Sequence, residues 1–280
     1  MRRLSLTYRL AWLAAFSLIL NGCAGLSAAL QFDTANHNAS VGTDPKSCAA
    51  LLTTTHPGHT QRTQDDEFTL AVWNAQKGHD AAWRADFETL TDQYDFVLLQ
   101  EFANTDKWTN VPYWSIAPGF RTRSAATGVA TLSQHQPMVR CEFKNHEPWL
   151  LTPKATNITQ FALERGRSLV VVNLHAINFS LGLAEFKQQI SEAVDAVANH
   201  DGPLIFSGDF NTWRAGRSRV MHDMLSSLGL EPVEFTDDRR TRVLGQHLDH
   251  VYVRGLDVIA ATTRAVSTSD HNPMMLKLGA

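Results

Sequence analysis

From Phe68 onward the chain alternates short apolar runs with polar stops, and the spacing of those runs separates strands from helices. Residues 68–74, 127–133 and 158–164 read as strands. Residues 95–100 are built around Phe96-Val97-Leu98-Leu99, and 168–175 around Leu169-Val170-Val171-Val172. Unbroken apolar runs of this length fit strands covered on both faces. Leu204-Ile205-Phe206 is a third such run. Residues 81–93 and 220–228 read as helices, the second closed by Gly229. Residues 183–199 form a longer helix whose stripe of Phe186, Ile190, Val194 and Val197 repeats at helical spacing. Strands at 248–253, 258–265 and 274–278 end the chain. Strands outnumber helices and the two are interleaved, so the expected class is α/β, with sheets packed together and helices outside.

The pattern before residue 67 is different. Arg2 and Arg3 lead into an apolar stretch that ends in Leu20-Asn21-Gly22-Cys23. A charged start, a short apolar core and small residues at a cut site describe a signal peptide over 1–22. The Leu-x-Gly-Cys ending resembles the lipobox of bacterial lipoproteins, which would make Cys23 the lipidated first residue. An uncleaved anchor, ordinary cleavage, or a leader on a cytoplasmic protein are the alternatives. Residues 23–66 are polar and aperiodic and read as a tether, with one short helix near 47–52. His56 and His59 within it read as loop residues. The domain proper is expected over 67–280. Beyond Cys23 the chain has only Cys48 and Cys141. In an oxidising compartment they invite a disulfide; two buried thiols are the other reading.

The chain carries a net charge of −3, and its first 22 residues hold three arginines and no acid. The remainder is therefore more acidic still, which argues against a generic duplex binder, since non-specific affinity for DNA rests on many cations. Arg214, Arg217 and Arg219, and later Arg239, Arg240 and Arg242, form local basic clusters. Either solvated faces or a phosphate-facing surface would explain them.

Candidate chemistry lies where the apolar runs end. Asn74 ends the first strand, with Gln76 behind it, and Gln100-Glu101 end the second. Asn173 and His175 end the Val-rich strand, and Asp209 and Asn211 end the next. Asp249 opens a later strand, and Asp270-His271 precede the last. Alternate side chains of a strand share a face, so Asp209 and Asn211 can meet one ligand. Oxygen-rich groups of this kind suit a hard divalent cation and a phosphate. His247 and His250 have a zinc-like spacing, but the pattern around them is that of a strand, so no zinc site is read there.

In order, Val72-Trp73-Asn74-Ala75-Gln76, Leu98-Leu99-Gln100-Glu101, Val172-Asn173-Leu174-His175, Gly208-Asp209-Phe210-Asn211, Leu248-Asp249-His250-Val251 and Ser269-Asp270-His271 resemble the motifs of the endonuclease/exonuclease/phosphatase superfamily. The longer strings 172–182 and 269–273 resemble a bacterial branch, the YafD-like proteins. The resemblance implies a deoxyribonuclease-like four-layer α/β sandwich of two packed mixed β-sheets flanked by helices. It implies that Glu101, with Asn74 and Asp270 nearby, holds Mg²⁺ or Mn²⁺. It further implies that Asp209 orients or deprotonates the attacking water and that Asn211 bonds the scissile phosphate. His271, held by Asp249, would contact the phosphate or move a proton. His175 would be an acid or substrate contact, and Asn173 a supporting or substrate-binding residue. Asn178 and Trp213 are open between pocket lining and packing.

The function expected from these residues is a divalent-metal-dependent phosphoesterase, most simply a phosphodiesterase or nuclease-like hydrolase. It would be exported, held at a membrane by its N-terminal lipid or anchor, and monomeric. Its substrate would be nucleic acid, a phospholipid head group or inositol phosphate, or a phosphorylated metabolite. The competing class is a lipid-anchored binding module that keeps the fold without turnover.

Overall fold

The Val-rich run explains the layering. In the computed structural model, which describes residues 39–54, 67–104, 111–121, 126–148, 150, 152–180 and 182–280, Ser168–His175 is a strand buried along almost its whole length. Its alternate side chains enter two different cores. Val170, Val172 and Leu174 face a layer of helices, while Leu169 and Val171 face a second sheet. A strand with water on neither side has to be apolar at every position, and this one nearly is.

In chain order the strands are β1 (Ser40–Gly42), β2 (Glu67–Asn74), β3 (Phe96–Asn104), β4 (Tyr113–Arg121), β5 (Ala126–Ser133), β6 (Pro137–His146), β7 (Pro153–Ala162), β8 (Ser168–His175) and β9 (Leu204–Asp209). They continue as β10 (Glu231–Pro232), β11 (Arg242–Val243), β12 (Gln246–His247), β13 (Asp249–Arg254), β14 (Asp257–Thr263) and β15 (Met274–Gly279). The helices are α1 (Pro45–Leu52), α2 (Trp83–Gln93), α3 (Ala184–Val197) and α4 (Ala215–Ser226). One sheet runs β1-β6-β7-β8-β9-β13-β10 and the other β14-β15-β2-β3-β5-β4; β11 and β12 form a separate hairpin. Both large sheets are mixed, with β8 parallel to β9 and β2 parallel to β3.

The sheets pack face to face through Leu70, Val72, Leu98, Val171, Ile205 and Leu276. Helices α1, α3 and α4 cover the outer face of the first sheet through Cys48, Leu52, Phe186, Ile190, Met221 and Leu225. Helix α2 packs beside β3, with Phe87 and Leu90 buried. The result is the helix–sheet–sheet–helix sandwich expected from the motifs. No helix among the described residues is long and apolar enough to cross a membrane.

The body of the domain starts earlier than the polar composition of 23–66 suggests. Ser40–Gly42 pairs in parallel with β6, and Pro45–Leu52 is a helix. Asp44 caps that helix, its carboxylate accepting from the N–H groups of Lys46 and Ser47 at 3.0 Å each, with Pro45 at the first turn. Cys48 is disulfide-bonded to Cys141 on β6, with Cα atoms 5.8 Å apart. Part of the expected tether is thus clamped to the sheet edge. The leader at 1–22, Cys23, and His56 and His59 lie outside the described residues.

Candidate active site

The polar strand ends converge at one rim, where the two sheets meet. Three of them are adjacent in the first sheet: His175 on β8 is in register with Asp209 on β9, which is in register with Asp249 on β13. Asn74 at the end of β2 pairs with Gln100 in the second sheet, but β3 does not stop there as expected: it runs on to Asn104, so Gln100 and Glu101 lie in mid-strand, Glu101 at the bulge. A hydrogen bond crosses from sheet to sheet, Asn74 Nδ2 donating to Asp209 Oδ2 over 2.9 Å. His271 arrives from the loop before β15. Its carbonyl accepts from Trp73 Nε1 at 2.9 Å, and its N–H donates to Ser269 Oγ at 3.1 Å, while Ser269 itself donates to the Asn74 carbonyl at 2.7 Å.

Local backbone geometry aims two of these side chains. Glu101 has φ 49° and sits where the β3–β5 register shifts, a bulge that turns its carboxylate out of the ladder. Asn211 has φ 51°, and its N–H donates to Asp209 Oδ1 at 2.9 Å. Asp209 therefore closes a local turn with one oxygen and presents the other to the cluster. Gly208, with φ 137°, lies so close to β8 that a Cβ there would stand 2.0 Å from the Leu174 carbonyl oxygen.

Asp209, Asp249, His175 and His271 are all buried. Asp209 Oδ2 lies 3.5 Å from His175 Nε2 and 3.9 Å from His271 Nε2. Asp249 Oδ2 is 2.7 Å from His271 Nδ1. Burial raises the Asp209 carboxyl to about 6, and the nearby His271 imidazolium only partly offsets this. For His271, burial works downward, but the carboxylates of Asp249 and Asp209 outweigh it and lift the ring to about 10. The pair thus rests as carboxylate and imidazolium at neutral pH, with His271 Nε2 directed toward Asp209. His175 behaves in the opposite way: burial and then the Lys154 charge hold it well below the usual histidine value.

Lys154 and Lys77 belong to the site although no sequence pattern singled them out. Lys154 Nζ lies 2.8 Å from His175 Nε2. An ammonium only donates, so Nε2 is the acceptor and the ring proton sits on Nδ1. That tautomer presents no acidic proton toward the cluster, and the proton donor at this position is Lys154. Burial lowers the Lys154 ammonium, while Glu147, 3.9 Å away, favours its charge. Lys77 Nζ reaches Glu101 Oε2 at 2.5 Å.

Other expectations fare differently. Asn173, expected either to support the site or to bind substrate, is fully buried between the sheets. Its Oδ1 accepts from Gln100 Nε2 at 2.6 Å, and its Nδ2 donates to the Ala130 carbonyl at 2.9 Å. It ties the sheets together below the site and is not positioned to touch a ligand. Asp270 is exposed, and its carbonyl accepts from Thr241 Oγ1; its side chain stands outside the buried group. Asn211 Nδ2 donates to the Ala176 carbonyl at 3.0 Å, which leaves its second amide hydrogen for a ligand. Asn178 accepts from Trp213 Nε1 at 3.0 Å, so both serve the loop beside the site. Arg217 is buried and bonded to carbonyls, whereas Arg239 and Arg240 pair with Asp237 and Asp238.

Two donor sets are available to a cation. Asp209, Asp249 and His271 each offer an atom within 4.8 Å of the others. His271, however, is held protonated by Asp249, and an imidazolium has no lone pair to give. Glu101 is the better fit. It is the most exposed carboxylate of the cluster and already faces a cation, the Lys77 ammonium. His175 Nε2 stands 3.9 Å from Glu101 Oε1 and 3.5 Å from Asp209 Oδ2, the Asn74 amide oxygen keeps one lone pair beside the bond it accepts from the Gln76 N–H at 3.1 Å, and a hard octahedral ion that keeps most of its waters needs only one or two carboxylates.

The sequence model of the endonuclease/exonuclease/phosphatase family matches residues 71–271, the span that carries every one of these side chains. The chain belongs to that family. Within it, the chain is similar to a group of bacterial UPF0294 proteins. It is 36% identical over 216 residues to one from Vibrio parahaemolyticus, covering 75% of this chain and 77% of the relative. It is 33% identical over 238 residues to one from Klebsiella pneumoniae, covering 83% and 90%. Solved structures share the fold at much lower identity. An endonuclease/exonuclease/phosphatase family protein from Leptotrichia buccalis has a TM-score of 0.58 at 15% identity, covering 76% of this chain and all of that one. The human Nocturnin catalytic domain, solved with a bound sulfate, has a TM-score of 0.56 at 16% identity, covering 77% and 95%.

Proposed function

We propose that this phosphoester hydrolase of the endonuclease/exonuclease/phosphatase family is metal-dependent and acts as a phosphodiesterase. The reading rests above all on the opposed pair of Asp209 carboxylate and His271 imidazolium, 3.9 Å apart in a buried cluster. Asp209 Oδ2 accepts the proton of a water lined up on phosphorus, and Asn74 fixes the orientation of that oxygen. A carboxyl lifted to about 6 is a better base than an ordinary one and is still ionised at neutral pH. His271 Nε2 and the Lys154 ammonium donate to the phosphoryl oxygens, and the free amide hydrogen of Asn211 adds a third contact. A divalent ion on Glu101 and Asn74 would supply charge stabilisation to the phosphoryl and leaving oxygens.

We also infer an exported protein held at a membrane surface through Cys23. The Cys48–Cys141 bond supports the export part of this reading, because disulfides persist in oxidising compartments. Cys23→Ser is expected to move the protein out of the membrane fraction; unchanged fractionation would count against lipidation.

The activity is tested by hydrolysis of bis(p-nitrophenyl) phosphate with Mg²⁺, before and after EDTA. Loss of turnover on chelation and its return with added Mg²⁺ are expected. Full turnover under complete chelation would remove the metal from the mechanism.

A further inference from the structure

Building on the proposed hydrolase reading, we propose that the cavity beside His175 is a subsite for a planar ring carried by the substrate next to its phosphate, with Phe179 as the ring's platform. The cavity measures about 230 Å³ and is continuous with the cluster just described. Glu101, His175, Lys77 and Lys154 form its polar end. Pro153, Phe179 and the exposed Leu150 give it an apolar side, to which the nearly fully buried Val129 and Ala155 add little, and Thr127, Glu147 and Thr152 also line it.

Phe179 is 54% exposed, so it adds little to either core. Its backbone is nonetheless held from several sides. The buried carboxylate of Glu147 accepts from the N–H groups of Asn178 at 2.9 Å and Phe179 at 3.3 Å. The buried guanidinium of Arg217 donates to the carbonyls of Ile177 at 2.6 Å and Asn178 at 2.9 Å, and to Ser180 Oγ at 2.9 Å. Trp213 Nε1 fixes the Asn178 side chain. An exposed aromatic ring on a loop anchored by two buried charges is pre-organised for contact, and little order has to be gained when a ligand meets it.

The chemistry of the walls selects the ligand. Drug-sized ligands occupy pockets of roughly 300–1,000 Å³, so a cavity of this size takes one group and not a length of polymer. An inositol ring carries hydroxyls all around its edge, and laid against the exposed Phe179 ring and Leu150 some of them would lose their water without replacement. A choline group would enter beside two ammoniums, and the carboxylates that would offset them already face lysines: Glu101 faces Lys77 at 2.5 Å, and Glu147 faces Lys154 at 3.9 Å. A neutral planar ring, a nucleobase or a simple aryl group, suits both the wall and the exposed face of Phe179.

The test is equilibrium binding by calorimetry, which does not depend on turnover. Adenosine 5′-monophosphate, phenyl phosphate, ribose 5-phosphate and phosphorylcholine are titrated into the full-length protein and into Phe179→Ala and Phe179→Tyr. The ring-bearing phosphates should bind the parent about tenfold or more tightly than ribose 5-phosphate. That ratio should collapse toward one in Phe179→Ala and persist in Phe179→Tyr. Comparing adenosine 5′-monophosphate with phenyl phosphate tells a nucleobase from any aryl ring. A ratio unaffected by Phe179→Ala, or tighter binding of ribose 5-phosphate or phosphorylcholine than of either ring-bearing phosphate, would overturn the subsite. Ring-dependent binding without hydrolysis of any ester would instead remove the hydrolase reading and leave the subsite standing.

Discussion

Asn74 Nδ2 donates to Asp209 Oδ2 over 2.9 Å, joining residues 135 apart in sequence and on different sheets. The bond stabilises the ionised carboxylate and fixes which oxygen faces the cluster. Replacing Asn74 by Ala removes that donor, so the Asp209 carboxyl should rise further from its ordinary value. The acid limb of the kcat/KM profile is then expected to move to higher pH, with a rate loss of about tenfold or more at neutral pH. An unshifted limb would separate Asn74 from the base.

Asp249 governs the other limb. The active form requires Asp209 ionised and His271 protonated. Activity should rise as pH increases through about 6, where Asp209 loses its proton, and fall as pH increases through about 10, where His271 loses its own. In Asp249→Asn the larger of the two carboxylate contributions that outweigh burial is gone, and the imidazole moves down toward its ordinary value. The alkaline limb should shift to lower pH, so the variant loses far more activity at about pH 8 than at about pH 6. A parallel loss at every pH would mean that Asp249 does not act through the charge of His271.

The Cys48–Cys141 bond spans 93 residues and lies away from the cluster, on the β1–β6 edge. A loop of that length predicts a loss of about 4–5 kcal/mol when the bond is absent, if the unfolded chain is unstructured. The Cys48→Ala/Cys141→Ala protein should therefore melt at a clearly lower temperature, yet keep its turnover well below that temperature. Thermal unfolding with and without reductant measures the first, and steady-state kinetics the second.

Gly208 is fixed by space as much as by conformation. A Cβ would lie 2.0 Å from the backbone oxygen of Leu174, and the residue's φ is +137°. Gly208→Ala should cost about 3 kcal/mol or more and displace Asp209 from His175. Denaturant unfolding measures the cost; a change within experimental error would contradict the close packing of β8 on β9.

Much of this arrangement is legible in the chain because strands buried on both faces leave a plain trace. Residues 168–175 are read from sequence with the same bounds they have in the fold, and the polar ends of that strand and of β9 fall where the site lies. The less visible elements are those whose signal is diluted. Strand β4 carries Pro118 and Gly119 inside it, and β6 opens on Pro137 and alternates Val139, Cys141 and Phe143 with polar residues. Strand β1 is only three residues long and helix α1 is short, so a polar context hides β1. Lys77, Lys154, Glu147 and Arg217 matter only through neighbours distant in sequence, and a lone lysine or arginine carries no local mark of that. Asn173 shows the reverse: its place among site motifs suggests a ligand contact, while its depth between the sheets makes it a tie.

The most direct measurement is the rate of bis(p-nitrophenyl) phosphate hydrolysis with Mg²⁺ by the parent protein and by Asp209→Asn, a substitution that preserves the size of the side chain. With folding confirmed by circular dichroism, the variant should be slower by about 10²–10⁴-fold. Equal rates would mean that the buried carboxylate opposite His271 is not the base and that the reaction takes place elsewhere.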